Sequence, residues 1–206
     1  MRNMNLANRI TLLRMVFIPV FLVVLLGQMP AWIDAPDWWL IAQPWTAAAI
    51  FAILAATDAV DGYIARSRNQ ITTFGKFIDP LADKLLVTAA LVALVDLDLL
   101  PSWIALVIIS RELVVSGLRM VAVAEGRVIA ASSGGKIKTI LQIVAIICFL
   151  LKDSTLLHTL LGPNATYLQT LSWVIMGAAV LMTVWSMIDY FYHARDILTG
   201  PWDQGA

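Results

Sequence analysis

Trp45-Thr46-Ala47-Ala48-Ala49-Ile50-Phe51-Ala52-Ile53-Leu54-Ala55-Ala56-Thr57-Asp58-Ala59-Val60-Asp61-Gly62-Tyr63-Ile64-Ala65-Arg66 is an apolar run whose last third carries two acids and a base. About 20 residues of such character cross a hydrocarbon core as a helix. In lipid a helix satisfies every backbone amide inside the segment, so a helix is the form this run must take. Asp58 and Asp61 are three apart and share a helix face. Gly62 and Ala65 lie on that face and leave it without bulk, and Arg66 follows. A carboxylate inside a membrane costs roughly 2.5–3.5 kcal/mol on insertion scales and therefore marks function.

The next apolar run opens Gly75-Lys76-Phe77-Ile78-Asp79-Pro80-Leu81-Ala82-Asp83-Lys84. Asp79 and Asp83 are four apart and stack on one face. With about ten residues of loop between the two acid pairs, the helices are expected to be antiparallel neighbours whose four carboxylates converge. Asp79 before Pro80 also fits a helix N-cap. An oxygen-only set without His or Cys favours Mg²⁺, Mn²⁺ or Ca²⁺ over zinc. Two divalent ions sharing a carboxylate suit phosphoryl chemistry. Small residues beside them admit a diphosphate close to the backbone, and Arg66 suits phosphate oxygens. A carboxylate-lined ion pathway is the rival reading. It accounts for the acids but not for Gly62, Ala65 and Arg66.

Outward from this pair the whole chain has the same character. It has 206 residues, 60% hydrophobic and 14% charged, with a mean hydropathy of +0.83. This excludes an ordinary soluble domain. A net charge of zero argues against nucleic acid as a partner. The one cysteine, Cys148, can form no disulfide within the chain and reads as a packing residue. Six spans are expected, at Ile10–Gln28, Trp45–Arg66, Phe77–Val95, Trp103–Val123, Ile137–Leu151 and Leu168–Tyr192. Arg2, Arg9 and Arg14 precede the apolar run that continues through Phe17 to Leu26, but no small-residue cleavage site follows, so it is read as retained rather than as a secretory signal. Pro30, Pro36 and Pro44 punctuate the first connection, Pro101 the third and Gly162-Pro163-Asn164 the fifth. Without repeat or linker, residues 1–206 read as a single all-α membrane domain.

Lysine and arginine fall on one side of this six-span arrangement, from Arg2, Arg9 and Arg14 through Arg66, Arg68, Lys76 and Lys84 to Arg111, Arg119, Arg127, Lys136, Lys138 and Arg195. Lys152 alone falls opposite, with Asp34, Asp37, Asp96, Asp98 and Asp153. The positive-inside rule then puts both termini and the second and fourth loops, with the Asp58–Asp83 motif, on the cytosolic side of a multi-pass cell (inner) membrane protein. Trp32, Trp38, Trp39, Trp45 and Trp103 crowd the outer interface. Ala48, Ala52, Gly177 and Ala178 permit close helix packing, within or between subunits.

The pattern Asp58-x2-Asp61-Gly62-x2-Ala65-Arg66-x8-Gly75-x3-Asp79-x3-Asp83 resembles the CDP-alcohol phosphatidyltransferase signature with every position filled. Asn5-Leu6-Ala7-Asn8-Arg9-Ile10-Thr11-Leu12-Leu13-Arg14 is similar to that family's amphipathic N-terminal segment. Ser110-Arg111-Glu112-Leu113-Val114-Val115-Ser116-Gly117-Leu118-Arg119 and Gly135-Lys136-Ile137-Lys138-Thr139 resemble its phosphatidylglycerophosphate synthase branch. The resemblance implies a six-helix membrane enzyme with a cytosol-facing polar cavity, usually a homodimer. Asp58, Asp61 and Asp79 would bind metal, two Mg²⁺ or Mn²⁺ ions. Asp83 would complete the metal site and act as base. Gly62, Ala65 and Arg66 would line a cytidine diphosphate pocket with Gly75 at its edge, so that CDP-diacylglycerol is held by these residues with Asp58 and Asp61.

The acceptor is read from the cations. Arg111 and Arg119 are eight apart, about two turns, and fall on roughly one face. Lys136 and Lys138 open the next span nearby. Each also fits an ordinary flanking charge that snorkels, which is how Arg127 is read. Arg111, however, lies too far inside its span for a flank, and Glu112 is expected as a partner of these cations. A cationic pocket beside a metal site fits glycerol 3-phosphate better than serine or a neutral alcohol. Phosphatidylglycerol and inositol phosphate remain alternative acceptors. His158 and His193 fall outside the spans and supply no nucleophile with its own base, so direct displacement releasing CMP is expected. The sequon Asn164-Ala165-Thr166 reads as incidental.

Overall fold

A computed structural model describes residues 6–27, 36–67, 73–124 and 134–198, and every regular element among them is helical. The helices are α1 (Leu6–Leu26), α2 (Asp37–Ser67), α3 (Thr73–Asp96), α4 (Ser102–Ala124), α5 (Gly134–Leu151), α6 (Thr155–Leu161) and α7 (Ala165–Leu198). Each of the six expected apolar runs has its own long helix. Asp37–Thr57 and Thr155–Tyr192 are long and apolar enough to cross a membrane by length and composition, and Thr11–Leu26 and Ile137–Leu151 are shorter apolar helices.

Four sequence expectations change. Pro44 is not part of the first connection: α2 begins at Asp37, so Pro44, Trp38, Trp39 and Trp45 lie inside it. The apolar residues on both sides of Pro44 keep the helix going, although the carbonyl of Leu40 loses its usual amide donor. The N-terminal amphipathic stretch is no separate segment, because α1 runs unbroken from Leu6 through it. The fifth connection is partly helical, since α6 and a short 3-10 turn at Gly162–Asn164 precede α7. Gly162, at φ 52°, allows the chain to turn there. Finally, Gly177 gives no close packing within the chain, as an added Cβ would meet nothing within 4 Å.

The packing order follows from which faces are apolar and small. α1 packs on α2 and α3, α5 on α2 and α7, and α7 on α4. One buried cluster contains Ile18, Phe21 and Leu25 from α1, Ala47, Ala48 and Phe51 from α2, and Leu86, Ala90 and Leu94 from α3. Phe21 and Phe51 meet with ring centroids 5.7 Å apart. The outer surface is apolar as well, with Val23, Leu106, Leu181 and Trp185 all largely exposed. An apolar exterior around a bundle suits lipid as solvent.

The α1–α2 hairpin is closed by Gln43. Its Nε2 donates to the carbonyls of Val24 (3.0 Å) and Leu25 (3.1 Å), which a helix end leaves without intrahelical donors. At the far end of α3, Asp98 takes a positive φ of 55°. The amide of Leu99 then returns to the carbonyl of Leu94 (2.9 Å), ending the helix before Pro101. Gln43→Leu keeps the side-chain volume and removes both hydrogen bonds. It should lower the thermal midpoint by about 2–4 °C, as expected for roughly 1 kcal/mol in a chain of this size. An unchanged midpoint in detergent would mean that this contact does not hold the hairpin.

Candidate active site

Asp58, Asp61, Gly62, Ala65 and Arg66 occupy the last turns of α2, and Gly75, Asp79 and Asp83 the first turns of α3. Residues 68–72 intervene, a shorter connection than the sequence spacing suggests, and the two helices touch. Asp79 is not an N-cap, because α3 begins at Thr73 and places it well inside the helix. The side chains of all eight residues lie outside the described part of the structure, as do those of Arg119 on α4 and Lys136 on α5.

The described part of the site is a polar network built by four helices. Arg111 and Glu112 project from α4, Lys138 from α5, Ser186 from α7 and Lys84 from α3. Lys138 is only 2% exposed, and its ammonium pairs with the Glu112 carboxylate. The Arg111 guanidinium, in a residue 8% exposed, donates to the same Glu112 oxygen at 3.2 Å and to Ser186 Oγ at 2.6 Å. Ser116 Oγ donates to the Glu112 carbonyl (2.5 Å) and accepts from Lys84 Nζ. One turn along, Gln142 Nε2 on α5 donates to Thr183 Oγ1 on α7 (3.1 Å), and that hydroxyl donates to the Ala179 carbonyl (2.6 Å).

Two of the four expected acceptor residues, Arg111 and Lys138, therefore meet, through the acid that the sequence named as their partner. Lys138 is deeper than a pocket-lining residue needs to be, and it shares its charge with Glu112. Among the described residues, Arg111 and Lys138 gather at one carboxylate, Glu112, and Lys84 joins them through Ser116. Lys84, Ser116 and Ser186 are the residues that sequence reasoning missed. Lys84 reads as a flanking charge in sequence, and small hydroxyls on apolar helices carry no signal until their facing helix is known.

Residues 4–185 match the profile of the family described as CDP-alcohol phosphatidyltransferase. A relative from Bacillus subtilis, named CDP-diacylglycerol–glycerol-3-phosphate 3-phosphatidyltransferase, is 44% identical over 189 residues, covering 91% of this chain and 93% of the relative. A Mycobacterium tuberculosis relative, named probable phosphatidylglycerophosphate synthase, is 41% identical, covering 94% of this chain and 83% of its own length. One from Haemophilus influenzae, with the same name as the Bacillus protein, is 34% identical, covering 94% and 95%. The chain belongs to the CDP-alcohol phosphatidyltransferase family. Its apolar helices and the lipid chemistry of that family make it a membrane-associated protein.

Glu112 stands between two cations, so its loss should be felt first as instability. Glu112→Gln removes the carboxylate with which the buried Lys138 ammonium pairs. An uncompensated buried charge costs about 3–5 kcal/mol, here discounted because Glu112 is partly exposed. The substitution should lower the melting temperature in detergent clearly, and adding Lys138→Met should recover most of the loss. Equal melting temperatures for wild type and Glu112→Gln would show that the pair does not stabilise the bundle.

Proposed function

We propose that this chain transfers the phosphatidyl group of CDP-diacylglycerol to glycerol 3-phosphate, giving phosphatidylglycerophosphate and CMP. The observation that carries the choice of acceptor is the gathering of Arg111 and Lys138 at Glu112, with Lys84 linked through Ser116, in a chain whose family is the CDP-alcohol phosphatidyltransferases. The names and coverage of the relatives support the same reading.

In this reading the donor end is formed by α2 and α3. Gly62 and Ala65, with Gly75 at the edge, leave room for the cytidine diphosphate, and Arg66 binds its phosphate oxygens. An oxygen-only set on two touching helices fits hard divalent ions. Asp58, Asp61, Asp79 and Asp83 would hold two, Mg²⁺ or Mn²⁺, which when bound neutralise the diphosphate and stabilise charge on the departing CMP. Asp83 takes the proton of the acceptor hydroxyl. The hydroxyl oxygen forms a bond to the phosphorus that carries diacylglycerol, and the bond to the CMP oxygen breaks with its electron pair.

The acceptor phosphate needs its own cations, because it must sit beside four carboxylates. Arg111, Arg119 and Lys136 bind it, while Lys138 and Lys84 contribute field from within the network. Around this site the reading places a single domain over residues 1–206. It has six transmembrane helices, a cytosol-facing cavity and cytosolic termini in the cell (inner) membrane, and works as a homodimer.

The deciding experiment follows CMP release by purified protein given CDP-diacylglycerol and, separately, glycerol 3-phosphate, serine, inositol phosphate and phosphatidylglycerol. Release is expected with glycerol 3-phosphate, lost in chelator and restored by Mg²⁺ or Mn²⁺. Arg111→Ala, Arg119→Ala and Lys136→Ala should each reduce kcat/KM for glycerol 3-phosphate about tenfold to a hundredfold, the value of one charge-assisted contact. Release with another acceptor alone would overturn the acceptor assignment, and full activity in excess chelator would remove the metal.

Topology is checked separately. Single cysteines at Gln70 and Ala131, in a Cys148→Ser background, should be labelled from the cytosolic side alone, and one at Ala35 from outside alone. Labelling of Gln70 from outside would reverse the orientation and with it the cytosolic site.

A further inference from the structure

Arg14 lies in the middle of α1, and the cytosolic bias of the basic residues counts it as an orientation charge. The structure does not treat it as one. Arg14 is 1% exposed and is among the largest fully buried side chains. A snorkelling flank would keep its head in water or at the lipid headgroups. Thr11, one turn earlier, is 2% exposed. With Ile18, Phe21 and Leu25 these residues form one buried stripe at spacings of three and four, the stripe that packs α1 into the bundle.

The register of α1 against α2 can be read from two contacts. Gln43, near the start of α2, reaches the Val24 and Leu25 carbonyls at the end of α1. Phe51, further along α2, meets Phe21, earlier on α1. The helices are therefore antiparallel. Seven residues, about 10.5 Å and nearly two full turns, lead from Phe21 back to Arg14. The same seven lead from Phe51 forward to position 58, on the same face of α2. Three more residues on each helix pair Thr11 with position 61. The buried polar pair of α1, spaced by three, thus falls on the stretch of α1 that lies along the end of α2, where Asp58 and Asp61 are also spaced by three.

We propose that Arg14 is a positioning residue, the buried counter-charge facing Asp58 across the α1–α2 contact. A guanidinium sunk in an apolar bundle requires an anion. α1 carries no acid of its own, and of the acids on α2 Asp58 is the one that the register brings nearest its level. The planar fork of arginine can hold one carboxylate oxygen in a fixed direction and leave the other to a cation. Arg14 then acts through Asp58, before any substrate arrives, and α1 becomes part of the site's support. The role in catalysis rests on the reading of Asp58 as a site residue, whereas the pairing itself does not.

The test is a double-substitution cycle read in two ways. In excess chelator, Arg14→Met and Asp58→Asn should each lower the melting temperature by about 5 °C or more. The double variant should be no worse than either single one. Additive losses would overturn the pair whatever the protein catalyses. Should Arg14→Met not accumulate, the same cycle is read as membrane yield: restored in the double variant if the two residues pair, equally low if Arg14 merely packs. In the second readout, Arg14→Lys should keep part of the CMP release that Arg14→Met loses, with kcat lowered tenfold or more and the KM for glycerol 3-phosphate unchanged. An unchanged kcat per folded Arg14→Met enzyme would leave Arg14 a structural residue. Absence of CMP release from the wild type would instead overturn the proposed function and leave the melting cycle to judge the pair.

Discussion

Buried charge in an apolar bundle is the constraint on which the rest of this structure depends. Glu112 meets it by holding two cations from two helices, Arg111 of α4 and Lys138 of α5, while Arg111 also reaches Ser186 of α7. An apolar exterior offers no driving force for helices already in lipid to associate, so packing of small residues and such polar links must hold the bundle together. The network does this at the end where the cations gather. Its cost is a requirement that every member be satisfied, because a half-made network in low dielectric is worse than none. Glu112, which pairs with both cations, also ties α4 to α5.

In the proposed function, donor and acceptor chemistry are divided between two sets of helices. The acids and the small residues beside them lie on α2 and α3, and the described cations lie mainly on α4 and α5, with Lys84 of α3 reaching across to Ser116. A phosphate monoester and a diphosphate that must react would repel each other in one undivided pocket. Under that proposal, residues on different helices would give each substrate its own counter-charge, and the bundle would set the distance between them. Lys84 is informative here, since it follows Asp83 directly in sequence yet hydrogen-bonds toward the α4 network. It would join the two halves of the proposed site through one backbone step.

Most of this was legible in the sequence, and what was not has identifiable physical causes. Long apolar runs betray their helices by length and composition, and each of the six has its helix. α6 was missed because seven residues between turn signals are too few for periodicity to speak. The start of α2 was missed because Pro44 reads as a break, although a proline eight residues into a long apolar helix costs too little to end it. The acid motif was legible because its spacing repeats on one face. Lys84, Ser116 and Ser186 were not, because their meaning lies in which helix they face, and sequence spacing orders residues only along one helix.

Arg14 sharpens that distinction. In sequence it is one arginine among thirteen residues biased toward the cytosolic side, and orientation alone accounts for it. Burial changes the physics, because a charge that cannot reach water must be compensated where it stands. The two contacts that fix the α1–α2 register, Gln43 with the end of α1 and Phe21 with Phe51, are themselves uncharged and remote from the chemistry. They nevertheless determine which acid an arginine seven residues from Phe21 can face. An apolar contact far from a site can in this way select the electrostatic partners inside it, since a helix converts a register at one point into a register along its whole length.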